Sequence, residues 1–97
     1  MKEEEEEILH QQFQAMTAQK QSMQLQMNEL KRTLEELEKS GDGDELFEMV
    51  GQIMIKKSKE DIKKRLKERE EILEIHLKGM DRSLDDIAKK LHEEKKQ

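Results

Sequence analysis

Apolar residues recur along two long stretches of this chain at alternating steps of four and three, which confines it to paired helices. From Leu9 they fall at Phe13, Met16, Met23, Met27, Leu30, Leu34 and Leu37, a heptad seam broken only by Lys20. A second seam runs through Leu66, Leu73, Leu77, Met80, Leu84, Ile87 and Leu91, with Glu70 as its polar guest. Proline, the usual helix breaker, is absent. The run Ser40-Gly41-Asp42-Gly43-Asp44 should end the first helix, with glycine just past its C-terminus. Ser58 should cap the second helix, and Asp61 supplies the acid of a capping box.

The two seams match when the chain is folded back at Gly51. Positions whose numbers sum to about 100–103 then face each other: Leu9 with Leu91, Phe13 with Ile87, Met27 with Leu73, and Leu34 with Leu66. Lys20 comes beside Asp81, and Glu70 opposite Lys31 and Arg32, so each polar guest should find an opposite charge that fixes the register. The pattern predicts one antiparallel helical hairpin rather than a parallel dimer of each helix.

Between the helices the period changes to two. In "LFEMVGQIMIKKS", Leu46, Glu48 and Val50 alternate with Phe47 and Met49, and Ile53 and Ile55 alternate with Met54 and Lys56. With Gly51 at the centre this reads as a β-hairpin. A lone two-stranded hairpin is marginal in water, and both of its edges would present unpaired backbone beside apolar side chains. The sequence holds no further strand to cover them. Leu46, Phe47, Met49, Val50, Gly51, Ile53, Met54 and Ile55 are therefore expected to join copies or partner subunits, making the chain an obligate oligomer. The expected layout is a single domain over 1–97: helix 1 at 1–40, linker 41–44, β-hairpin 45–57 and helix 2 at 58–97.

Composition agrees and excludes several functions. Charged residues are 44% and apolar residues 32% of the 97, which suits long helices better than a compact core. The net charge of −5 argues against a nucleic-acid partner. Without cysteine, disulfides and thiolate sites are ruled out. "MKEEEEEIL" lacks the basic start and apolar run of a secretory signal, and no apolar run reaches the ~20 residues of a membrane span. A cytoplasmic protein is expected.

The order helix, short β-hairpin, helix, with the centre "VGQIMIKKSKEDIKKRL", resembles the β-class subunits of prefoldin. The resemblance is carried by Val50-Gly51, by the strand Ile53-Met54-Ile55, and by Lys57-Ser58-Lys59-Glu60 opening the second helix. The heptad layout extends it over nearly the whole chain. The two-hairpin α-class subunits are a poorer match.

This resemblance implies a mostly α fold, a long antiparallel two-helix coiled coil whose central β-hairpin assembles into an intersubunit β-barrel platform. It implies a hexamer of two α-type and four β-type subunits, or self-assembly as a homo-oligomer. It also implies an ATP-independent holdase, whose tips grip non-native client proteins and deliver them to a group II chaperonin. The chain departs from the family pattern at its ends, in the acidic run Glu3 to Glu7 and a brief C-terminal tail.

The tips are also where the residues themselves place a binding surface. Ile8 adjoins seam residue Leu9 and cannot point into the same two-helix seam. Phe13 and Met16 lie in terminal turns, where a coil frays, and methionine adapts to partners without fixed shape. Ile8, Leu9, Phe13, Met16, Leu84, Ile87 and Leu91 form the candidate client-binding lip. All but Ile8 also read as ordinary seam residues, and both readings stand.

Other signals point to nothing catalytic or metallic. "SGDGDE" lacks the ligand spacing and terminal glutamate of a calcium loop. His10 and His92 come opposite each other, but two ligands are fewer than a zinc site uses. The acidic run suits a helix N-terminus, with a basic chaperonin surface as an alternative contact. No phosphate loop or nucleophile set is present, so neither an enzyme nor a cofactor is expected. The rival to a holdase is a structural coiled-coil adaptor docking one defined partner.

Overall fold

A computed structural model of the chain describes residues 2–41 and 43–95. Met1, Asp42 and residues 96–97 lie outside them, and with them the outermost ends of the expected helices and one position of the linker. Helix α1 spans Glu3–Lys39, strand β1 Phe47–Val50, strand β2 Ile53–Lys56 and helix α2 Lys59–Lys95. The molecule is a rod with extents of 66 × 24 × 15 Å. No helix among the described residues is long and apolar enough to cross a membrane.

The two helices lie against each other along the heptad seams. Met27, Leu30 and Leu73 form the buried centre, with Met23, Leu66 and Leu77 packed around them. Leu37 and Leu91 are buried towards the two ends. Met27 is the most enclosed, at 2% exposure. A pair of helices can surround a side chain only along one line, so burial is confined to these few positions.

Charged groups confirm the register. Lys20 pairs with Asp81, as the fold-back predicts, and Lys63 pairs with Glu38. Glu70 differs: it makes no ion pair among the described residues. The reason lies in the heptad. Lys31 and Arg32 follow seam residue Leu30 and turn outward, both exposed, while Glu70 is half-buried.

The helix ends show one expectation met in part and one corrected. The Ser58 hydroxyl accepts the Asp61 amide at 3.1 Å, and the Ser58 carbonyl accepts the Ile62 amide, so Ser58 caps α2. Among the described residues the Asp61 carboxylate makes no return bond to the Ser58 amide, and the capping box is half formed. Helix α1, however, does not end on a left-handed glycine. Ser40 leaves the helix in extended conformation, with φ −68° and ψ 144°. Its amide and its hydroxyl both donate to the Leu37 carbonyl, at 3.1 and 2.6 Å. The glycine instead serves the linker, where the Gly41 amide donates to Asp44 Oδ2 at 2.7 Å.

Strands β1 and β2 pair antiparallel in the register Phe47–Lys56, Glu48–Ile55, Met49–Met54 and Val50–Ile53. The Lys57 amide donates to the Leu46 carbonyl and extends the ladder by one step. Gly51 has φ 62°, and no other described residue takes a positive φ. Glycine in the left-handed region at the first of two turn positions matches a type II′ turn, whose twist suits a tight hairpin.

Candidate functional site

Two surfaces at opposite ends of the rod present apolar side chains. At one end is the hairpin. Period-two alternation puts Leu46, Glu48, Val50, Ile53 and Ile55 on one face and Phe47, Met49, Met54 and Lys56 on the other. Leu46 and Glu48 are half-buried. Phe47, Val50, Met54 and Ile55 are all exposed, Met49 is 66% exposed and Ile53 65%. A four-residue strand pair cannot bury both of its faces against two helices.

One ion pair ties the hairpin to the rod, and further polar contacts join the helix ends beneath it and close its base. Arg65 of α2 pairs with Glu48 of β1, whose side chain is only 22% exposed. Lys59 Nζ donates to the Ser40 carbonyl at 2.9 Å, occupying one of the free carbonyls at the C-terminus of α1. Lys63 donates to Glu38 and holds its carboxyl below the ordinary range, first by the hydrogen bond and then by its charge. Lys56 and Glu45 lie 3.8 Å apart beside the linker. Beneath the hairpin a shallow groove runs between Phe47, Glu48 and Met49 on one side and Thr33, Ile62 and Arg65 on the other.

At the far end lies the tip. Ile8 is 52% exposed. Leu9, Phe13, Met16, Leu84 and Ile87 are half-buried, and Leu91 is buried between the helices. A shallow groove is lined by His10, Phe13, Ala88, Leu91 and His92, one histidine from each helix. His10 Nε2 lies 3.8 Å from Glu6, its neighbour one turn earlier. The acidic residues Glu3 to Glu6 occupy the first turn of α1, where the helix dipole favours them.

The family model for the prefoldin subunit matches residues 2–97. The chain belongs to the prefoldin family. Its relatives place it in the β class of prefoldin subunits. It is 38% identical over 87 residues to the prefoldin subunit beta of Pyrococcus furiosus, covering 90% of this chain and 74% of that one. It is 38% identical to the prefoldin subunit beta of Thermococcus onnurineus, covering 86% and 72%. Among solved structures, the prefoldin beta subunit from Thermococcus strain KS-1 superposes with a TM-score of 0.87 at 34% identity. That match covers 92% of this chain and 78% of the other. The single hairpin between two long helices is thus the prefoldin β fold.

Three exposed apolar residues of this prefoldin chain escape a reading based on seams. Leu25 is 69% exposed on α1, and Ile72 and Ile75 are 55% and 67% exposed on α2. All three sit mid-rod and off the heptad line. The signal was there as large apolar residues at positions the repeat assigns to solvent.

Proposed function

We propose that this prefoldin-family chain is one subunit of an ATP-independent holdase. In this reading its hairpin builds an intersubunit β-barrel platform with an α-type subunit or with further copies of itself. The tip captures non-native proteins, and the assembly delivers them in the cytoplasm to a group II chaperonin. Prefoldins are chaperones rather than enzymes.

The observation that carries the reading is the hairpin itself. Its two strands expose apolar side chains on both faces, and its two outer edges have no strand beside them among the described residues. Such a surface is tolerated where other chains cover it. Held at one end of a stiff rod, it leaves the far end free to reach a client. At that end Ile8 supplies exposed apolar area. Leu9, Phe13, Met16, Leu84 and Ile87 supply a half-open lip, supported from beneath by Leu91.

Deleting residues 1–16 tests the assignment. Suppression of aggregation should be lost for several unrelated denatured proteins, while the oligomer measured by light scattering stays intact. Unchanged suppression would remove the tip from the mechanism. Full-length chain that protects none of a client panel would favour the adaptor instead.

A further inference from the structure

The outer side of α2, facing away from α1, follows from its seam. Opposite Leu66, Leu73 and Met80 the heptad puts Asp61, Glu68, Ile75, Arg82 and Lys89 in one line, and each of these five is exposed. Ile75 lies at the middle of that line with Ile72 one turn before it. On the other side of Ile75, Gly79 is exposed, and a methyl group built on it would meet nothing within 4 Å. β-Branched residues bring a helix no propensity advantage at solvent positions, so two exposed isoleucines beside an open glycine call for a partner.

The surrounding charges say which partner. Glu68 and Glu71 stand on the N-terminal side of Ile75, and Lys78 and Arg82 on the C-terminal side. Further out the signs reverse: Lys64 and Arg65 lie before, Asp85 and Asp86 after. We propose that this face binds a second copy of itself, the two α2 helices packing antiparallel about a twofold axis at Ile75.

In that arrangement Ile75 meets Ile75, and Ile72 of each copy enters the notch over Gly79 of the other. Glu68 faces Arg82, and Glu71 faces Lys78. The match continues outward, with Lys64 facing Asp85, Arg65 facing Asp86 and Asp61 facing Lys89. Each of these charges therefore meets its opposite, and a twofold axis makes each pair twice. A parallel contact would set each charge on its own copy. The four central charges, Glu68, Glu71, Lys78 and Arg82, are used in no ion pair among the described residues. Lys89 and Asp85 do pair along their own helix, at 3.1 Å and largely exposed, and Arg65 pairs with Glu48. The contact is accordingly strongest at its centre. Antiparallel packing about Ile75 leaves the two hairpins about 50 Å apart, so it can link chains whose hairpins are already engaged elsewhere.

The chain has no cysteine, so single thiols report the contact directly. Ile75→Cys in the full chain should oxidise to a covalent dimer at least tenfold faster than Leu25→Cys, which is as exposed but lies on the outer side of α1. Adding Arg82→Glu to the Ile75→Cys chain should slow that cross-link about tenfold, as should adding Glu68→Arg. Mixing these two charge variants should restore the rate, because each then offers the other its missing sign. Equal rates at Ile75→Cys and Leu25→Cys, or no restoration on mixing, would overturn the proposal. Neither thiol position belongs to the tip or the hairpin, so client protection and hairpin assembly stand or fall by their own tests.

Discussion

Arg65, two turns into α2, reaches back to Glu48 in the first strand and ties the hairpin to the rod. The carboxylate side chain is 22% exposed, which leaves little water to replace a lost partner. Exposed ion pairs contribute about 0.2–1 kcal/mol, and this half-buried one belongs at the upper end of that range. Glu48→Gln should therefore raise amide exchange in Phe47–Val50 by about fivefold, with the melting temperature of the helices scarcely moved. Unchanged exchange in β1 would mean that the ladder alone positions the hairpin.

The helical pair concentrates its stability in few residues. Met27→Ala should cost about 2–3 kcal/mol, because its side chain is 2% exposed and the facing Leu73 cannot close the gap without moving a whole helix. Leu25→Ala, two residues away, should change stability by less than about 0.5 kcal/mol. Urea unfolding at fixed chain concentration measures both. Equal effects would show that the heptad seam does not set the packing.

Lys20 takes a seam position from an apolar residue and pairs with Asp81 on the opposite helix. Such a guest specifies register at some expense of stability. Asp81→Lys should destabilise the rod, and combining it with Lys20→Glu should restore most of the loss. The coupling in a double-mutant cycle should be about 0.5–1 kcal/mol, since both groups are partly exposed. Additive effects would deny the pair any role in alignment.

The fold was legible because one-dimensional burial leaves a one-dimensional record. Two seams of matching length and a central stretch of period two define the hairpin of helices, and the sum rule places Lys20 beside Asp81 before any coordinates are needed. Both apolar surfaces could be read the same way, since Ile8 and the strand residues have no seam to enter. Contacts that depend on the direction of long side chains could not. Glu70 was expected to meet Lys31 and Arg32, yet rotation about α1 carries those two outward. Ser40 and Lys59 close the end of α1 without a left-handed glycine, because a lysine from the neighbouring helix supplies the donor. Arg65 finds Glu48 across a turn whose angle no spacing encodes. Leu25, Ile72 and Ile75 were visible as letters, but they lie off the seam that defines the fold.

Glu38 gives the base of the hairpin a dependence on acid. Lys63 hydrogen-bonds its carboxyl and adds a favourable charge, with Lys59 and Lys67 contributing from further away, so the group titrates below its ordinary value of 4.5 in the folded chain. A carboxyl with a depressed folded pKa favours folding above its unfolded value, and that contribution disappears as the pH falls through the folded value. Local opening around Glu38, Lys59 and Lys63 should therefore increase below the ordinary carboxylate range, while neutral and mildly alkaline solutions leave it unchanged. Replacing Lys63 with Met removes the hydrogen bond and the nearest charge, so the Glu38 titration followed by carbon NMR should move upward towards 4.5. The acid-induced opening should shrink in the same variant, because less of the interaction remains to be lost. A Glu38 titration that stays depressed without Lys63 would transfer the effect to Lys59 and Lys67, and would dissolve the link between this ion pair and the seating of the hairpin.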